Sequence, residues 1–325
     1  MEAQEKHGPE SSKNVHLLRQ IECDQMAEMV RRGDGEFIQL GAGRSWGNML
    51  RIDLEGLDVL LADVPNRTAV HGSGNADLEV FSIPLRWKGE NRWNGVVVDT
   101  PTVIGWGNAC EFSRVATDAV IATLIFDRAI FLARYSDWAG PEAVPYEVIT
   151  GNLFDTSPAT MGIIHAVQGA ISFAEKTPSL FDLEHRRTAI RDSILLAIFE
   201  ALPESHFPVK GAMKSRSARR EIVARTDDYL RTHGDGEVSL FDLCSVTGVS
   251  SRSLEYAFRE IIGVSPFQYI KLRRLRRARA LLREGDPGLI KVGQCARTAG
   301  FSHLGRFSVE YRKFFGESPS TTLGT

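Results

Sequence analysis

Arg252, Glu255, Tyr256 and Arg259 share one face if their stretch is helical, and so do His303, Arg306, Glu310 and Arg312 further along the chain. Arginines and other hydrogen-bonding groups projecting from one side of a helix suit the DNA major groove, where each base pair shows its own pattern of donors and acceptors. A guanidinium meets the guanine edge with two parallel hydrogen bonds, a preference worth about 1–3 kcal/mol. Any helical corner has a polar outer face, so one such helix decides nothing. Two matched helices in a basic region point to DNA.

The elements that would hold these faces are legible as a repeat. The segment "LCSVTGVSSRSLEYAFREIIGVSP" from Leu243 matches "CARTAGFSHLGRFSVEYRKFFGESP" from Cys295, with one extra residue in the second copy. In each, a short helix ends at Gly248 or Gly300, an apolar residue follows, and Ser250 or Ser302 is placed to cap the next helix. Leu254, Phe258, Ile261 and Ile262, and in the second copy Phe307, Tyr311, Phe314 and Phe315, recur at helical spacing and form the inward sides. Both copies close on Gly-x-Ser-Pro: glycine ends one helix, serine caps another, and proline fits the first turn, where its missing amide does no harm. After Ser265, Gln268 completes a capping-box pattern.

A helix over 266–282 then links the two corners, with Ile270, Leu275, Ala278 and Leu282 as its apolar seam. Lys271, Arg273, Arg274, Arg276, Arg277 and Arg279 cover much of the rest, free either to meet phosphates or to pair with acidic partners. Upstream, Ile222, Val223, Thr226, Tyr229 and Leu230 share a helix face, and Ser239 with Asp242 forms a capping box.

The 325 residues carry a net charge of −2 that hides an asymmetry: residues 1–210 hold 19 basic against 29 acidic groups, and residues 211–325 hold 20 against 12. Positive charge in the last third suits a polyanionic partner. Four scattered cysteines without a C-x-x-C suggest neither a zinc site nor a disulfide frame and read as buried free thiols. The polar start, "MEAQEKHGPESSKN", lacks the shape of a secretory signal, and no apolar run is long enough to cross a membrane, so a cytoplasmic location is expected.

The stretches "AFREIIGVSPFQYIKLRRLRRARALL" and "AGFSHLGRFSVEYRKFFGESPS" resemble the DNA-binding domain of the AraC/XylS family of bacterial transcription regulators, over about residues 215–325. The resemblance implies seven helices, two of them entering successive major-groove segments roughly one helical turn (~34 Å) apart. By position, Ser251, Arg252, Glu255 and Tyr256 of the first and His303, Gly305, Arg306, Val309 and Glu310 of the second would lie near bases. Ser250, Ser302, Arg259 and Arg312 would meet phosphates. The chain departs from the family at Cys295 and at Gly293, which sits inside the helix before the second corner and costs about 1 kcal/mol relative to alanine. Leu304 and Gly305 offer no side-chain hydrogen bond, so fewer bases would be read there.

Residues 31–145 are expected to be β-rich: "EFIQL", "LDVLLADV", "EVFSIPLRW", "GVVVD", "TVIGW" and "AVIATLIF" are separated by turn residues, with a hairpin turn at Asn94-Gly95. The family resemblance makes this a cupin-like sensor sandwich or barrel, with Phe81, Trp87, Trp93, Trp106 and Phe112 as candidate effector-lining side chains. His71 is the only histidine between residues 17 and 164, which disfavours a metal centre; no metal or cofactor is expected.

Residues 146–203 read as connector helices, serving either dimerisation or packing against the barrel, with Leu183, Ile190, Ile194, Ala197, Ile198 and Leu202 on one side. A linker over 204–214 follows, and 1–30 read as tail and lead-in. The expected whole is an α+β multidomain, non-enzymatic, effector-responsive activator. Its expected partners are double-stranded DNA, a small-molecule effector, RNA polymerase and a second copy of itself, with no membrane. The alternatives are a metal-dependent cupin enzyme and an architectural DNA-binding protein.

Overall fold

A computed structural model describes residues 12–22, 26, 36–43, 46–107, 111–141, 158–202, 210–233 and 238–324; residues 1–11 of the expected tail and 204–209 of the expected linker lie outside them. The first half is one antiparallel sheet: β1 (Val15–Glu22), β2 (Glu36–Gln39), β3 (Trp46–Asp53), β4 (Leu57–Ser73), β5 (Leu78–Arg86), β6 (Asn91–Trp93), β7 (Val96–Val97), β8 (Ile104–Gly107) and β9 (Glu111–Asp127). Its main path runs β1-β3-β4-β9-β5-β8, with β2 on β4 and the β6–β7 hairpin on β9.

The long strands β4 and β9 pair along their whole lengths and are interrupted between Val64 and Arg67. There Asn66 and Asp118 adopt φ of 71° and 44°, and the Asn66 amide donates to the Asp118 carboxylate at 2.7 Å. Asn and Asp tolerate this backbone region better than most residues, and such an irregularity bends a ladder. Beyond the bend each long strand changes partners, from β3 to β2 and from β5 to β6, so a single sheet folds over instead of splitting into two. The hairpin turn at Asn94 and Gly95 forms as expected, with φ of 50° and 78°. The lead-in expected over 1–30 is partly wrong: Val15–Glu22 is a strand paired with β3.

Helices α1 (Arg128–Ala139), α2 (Pro158–Lys176) and α3 (Glu184–Ala201) cover one face of the sheet. Asp127 caps α1, accepting from the amides of Ala129 and Ile130 at 3.0 and 3.2 Å. Ile194, Ile198 and Leu202 join Leu50, Ile52, Leu124 and Phe126 in one core, so the connector helices spend this apolar side within the chain. Leu183, expected on the same side, stands exposed at the start of α3.

The last third is helical: α4 (Lys210–His233), α5 (Leu240–Thr247), α6 (Ser251–Ile261), α7 (Pro266–Glu284), α8 (Val292–Thr298), α9 (Leu304–Phe315) and α10 (Pro319–Leu323). Residues 210–214, expected in the linker, are already helical; "KGAMK" holds good helix formers and no proline. Both Gly-x-Ser-Pro elements act as read. Gly263 and Gly316 take φ of 80° and 76°, where a side chain would be strained, and Ser265 and Ser318 accept from the amides of Gln268 and Thr321 at 3.2 and 3.1 Å. Among the described residues no bond returns from the Gln268 side chain, so that capping box is half formed. At Ser239 and Asp242 both arms are present.

The two halves share a core. Ile38, Leu40, Ala69 and Val115 of the sheet lie in one apolar cluster with Phe258, Ile261, Tyr269, Leu275 and Phe307. Around it, Glu22 at the end of β1 is buried against Arg279 at 2.8 Å and also pairs with Arg283, while Arg279 bridges to Glu317 at 2.9 Å. Replacing Arg279 by methionine leaves Glu22 with Arg283 and Glu317 with the Thr322 hydroxyl but takes the buried cation from both, and should cost about 3 kcal/mol in urea unfolding, whereas Glu22→Gln, which keeps a hydrogen-bonding partner, should cost less.

Candidate nucleic-acid interface

Each candidate reading helix is fixed by its back. On α6, Leu254, Ala257, Phe258 and Ile261 are buried, and Ser250 caps the start by accepting from the Ser253 amide at 3.2 Å. Ser251, Arg252, Tyr256 and Arg259 remain exposed, with Arg259 bonded to Glu255 at 2.7 Å and the Arg219 guanidinium lying 4.5 Å over the Tyr256 ring. On α9, Phe307, Tyr311, Phe314 and Phe315 are buried, and Gly305, Arg306, Val309 and Arg312 face outward.

The second corner differs from expectation in three ways. Its helical start falls one residue late: His303 occupies the cap position and makes no side-chain cap bond, so Ser302 does not play the part of Ser250. The preceding helix ends at Thr298 and is capped by Ala299, with Gly300 just beyond at φ 86°. Gly293 lies in the first turn of α8, where a methyl group would meet Leu304 Cδ1 at 3.0 Å, so the glycine lets α9 approach closely. Cys295 is buried in the apolar core, which pushes its thiol pKa up.

Glu310 is held. Lys271 and Arg306 both donate to its Oε1, at 2.9 and 3.2 Å, and its side chain is 19% exposed against 76% for Arg306. Burial disfavours the Glu310 charge, but these two hydrogen bonds outweigh it and keep the carboxyl below its ordinary pKa. Its geometry therefore orients Arg306, tying the reading face of α9 to α7.

Behind the reading helices lies a polar cluster that no local motif announces. The Tyr269 hydroxyl donates to Asp227 at 2.7 Å and stands 2.9 Å from His71 Nε2, which is 3.1 Å from the other Asp227 oxygen. With the tyrosine proton committed to Asp227, the network places the histidine proton on Nε2. Arg273 donates to Asp227 and, at 2.8 Å, to Glu36, whose other oxygen takes Arg276 at 3.0 Å. Glu36, His71 and Asp227 bring ligand atoms within 4.8 Å of one another. Arg273 already supplies a cation to both carboxylates. Burial works against the charge of Asp227, but the His71 hydrogen bond, the Arg273 charge and the Tyr269 hydroxyl overcome it and hold the group well below the usual carboxylate range.

Residues 243–325 match the family described as "Helix-turn-helix domain". The "Probable thc operon regulatory protein" of Rhodococcus erythropolis is 38% identical over 104 residues, 32% of this chain and 31% of that protein. A "XylDLEGF operon transcriptional activator" of Pseudomonas putida is 40% identical over 99 residues, 30% of this chain and 31% of that protein. A solved structure titled as a probable AraC family transcriptional regulator from Rhodopseudomonas palustris is 36% identical; the match covers 32% of this chain and 94% of that one, with a TM-score of 0.30. The helical domain of this chain is similar to the DNA-binding domain of AraC/XylS-type regulators. The match spans about a third of the length of these two curated relatives.

Of the candidate effector-lining aromatics, only Trp93 and Phe112 meet among the described residues. Phe81 packs between the sheet and the helices against Phe126 and Phe131, which removes it from any site inside the sheet. Trp87 borders a different cluster with Ile21 and Met49. Trp93 and Phe112 stack at 5.7 Å with planes 9° apart, and the Trp106 side chain lies outside the described residues.

Burial raises the pKa of Tyr269 well above its usual value and pushes Tyr311 up to about 12. The folded chain keeps protons that the unfolded chain loses near pH 10, so unfolding there releases protons. Stability should hold below about pH 10 and fall as the pH rises beyond it. Urea midpoints between pH 8 and 11.5 test this: Tyr269→Phe should cost about 1 kcal/mol at pH 8 and show a shallower alkaline decline.

Proposed function

We propose that this protein is a sequence-specific DNA-binding transcription regulator of the activator type, with α6 and α9 as its two reading helices. The observation that carries this reading is the pairing of two exposed arginine-bearing faces, each fixed by a buried aromatic and aliphatic back. The family match over 243–325 and the activator and regulator names of the relatives support it. Arg252, Tyr256, Arg306 and Val309 are read as base contacts, with Ser251, His303 and Gly305 beside them. Ser250, Arg259, Ser302 and Arg312 are read as phosphate contacts.

The N-terminal sheet is read as the effector-responsive half, and its contacts give it a route to the reader. Arg67 donates to the Gly263 carbonyl at 3.2 Å, Ser113 donates to the Ile261 carbonyl at 3.3 Å, and a side chain at Gly95 would meet Ile261 and Glu260. All three touch the end of α6 and leave its outer face open. An effector that changes the sheet then shifts the DNA-competent population to the extent that it binds the two states differently.

No described helix is long and apolar enough to cross a membrane. The cytoplasm, RNA polymerase contact and a homodimer complete the proposal, the last with the half-exposed Leu196 of α3 as one apolar group.

Genome-wide mapping of bound sites, followed by titration of one recovered site against random DNA, tests the function. Arg306→Ala should lower preference at one or two base positions by about 1–3 kcal/mol, while Arg312→Ala should weaken all DNA alike and reduce the salt slope by about one. Equal losses on specific and random DNA for both variants would remove the assigned roles.

A further inference from the structure

A cleft of about 330 Å³ opens between α4 and α7, beside the start of β2. Arg231 reaches it from the last turn of α4, and Arg273, Arg274, Arg276 and Arg277 reach it from successive turns of α7. Helical spacing explains the gathering, since positions 270, 273, 274, 277 and 280 fall on one side of a helix. Val238 and Ala280 add half-buried apolar surface, and Leu230 and Ile270 lie beneath it. Glu36 is the one carboxylate in this lining, and none of the lining residues belongs to α6 or α9.

Five guanidinium groups set around one carboxylate repel one another, the more so where they are half buried. Part of that charge is answered: Arg273 and Arg276 share Glu36 at 2.8 and 3.0 Å, Arg273 also takes Asp227, and Arg231 takes Asp228. These bonds hold the arginines side by side without removing them from the cleft, and the Arg231 side chain stays 56% exposed. Guanidinium forks converging on a concave site suit a phosphate group, because each offers two parallel donors to its oxygens. Ligand sites commonly run from about 300 to 1,000 Å³, so this one admits a single phosphate with a small organic body.

We propose that the cleft between α4 and α7 binds a small organic phosphate, its dianion held by Arg231, Arg274, Arg276 and Arg277 and its apolar part laid against Val238 and Ala280. The cations of the lining outnumber its one carboxylate, which favours a dianion over a monoanion. Arg276 is shared with Glu36, so a ligand here competes with a tie between the sheet and α7. The site lies outside the interior of the sheet and apart from both candidate reading helices, and the inference does not rest on the roles given to α6 and α9.

The test is calorimetric titration of the full chain with phenyl phosphate, buffered well above the second phosphate pKa of about 6 and at constant ionic strength. Phenol and benzenesulfonate serve as controls of similar shape with no charge and one charge. Phenyl phosphate should bind, benzenesulfonate should bind at least about tenfold more weakly, and phenol should not bind. Arg231→Met and Arg277→Met should each weaken phenyl phosphate about tenfold, equivalent to about 1.4 kcal/mol. Arg231 stands largely in solvent, so its variant should lose binding while keeping its thermal midpoint. Glu36→Gln, which removes the competing carboxylate, should tighten phenyl phosphate.

No binding by the unmodified chain, equal binding of benzenesulfonate, undiminished binding in both arginine variants, or weaker binding in Glu36→Gln would overturn the assignment. So would an equal loss of affinity for random duplex DNA in Arg231→Met and Arg277→Met, which would make the cleft part of a DNA backbone contact. Binding of the unmodified chain to a recovered genomic site is measured without probe and keeps the two readings apart: its failure would sink the regulator reading and leave the phenyl phosphate result standing.

Discussion

The back of α7 is the constraint on which the rest of the molecule depends. One helix presents Tyr269, Leu275 and Ala278 to the core, Lys271 to the reading helix α9, and Arg273, Arg276 and Arg279 to acidic groups of the N-terminal half. Asp227 stands at the centre, reached from the sheet by His71, from α7 by Tyr269 and Arg273, and supplied by α4. Charges so placed leave water only because their partners arrive together, so losing one member exposes the others to an unmatched burial. The two halves are consequently not beads on a linker; they are joined by an apolar core with an ionic seam around it.

That seam changes the meaning of the basic string "KLRRLRRARALL". Its charge is a fair electrostatic signal for a polyanion, yet four of its cationic side chains are turned to carboxylates: Lys271 to Glu310, Arg273 and Arg276 to Glu36, and Arg279 to Glu22. Part of the contrast between an acidic front and a basic back is thus spent inside the chain. The arginines left outward at α6 and α9, Arg252, Arg259, Arg306 and Arg312, are the ones whose helices have apolar backs. The connector positions the two candidate reading helices.

The helical third was legible because its signals are local. Helical periodicity set the inward faces of α6 and α9, and a serine followed by proline marked the starts of α7 and α10. The sheet was partly legible: β2, β4, β5 and the Asn94-Gly95 turn follow their sequence patterns. β1 and β3 escaped, because adjacent Met49 and Leu50 are both buried and most of β1 is not, so neither strand alternates cleanly. The Asp227 cluster escaped for another reason. Its members come from residues 36, 71, 227, 269 and 273, and only the folded sheet brings them within hydrogen-bond reach. A lone histidine in a β-rich stretch was the single visible trace, and it was weighed only as a metal ligand.

Hydroxyl-radical footprinting of the full chain on a recovered genomic site tests the central claim most directly, because it reports where both reading helices lie on the duplex at once. Two protected patches on one side of the DNA, roughly one helical turn (~34 Å) apart, with the patch nearer α9 lost in Arg306→Ala, are the expected result. A single patch, or protection spread evenly around the duplex and indifferent to that substitution, would contradict the account.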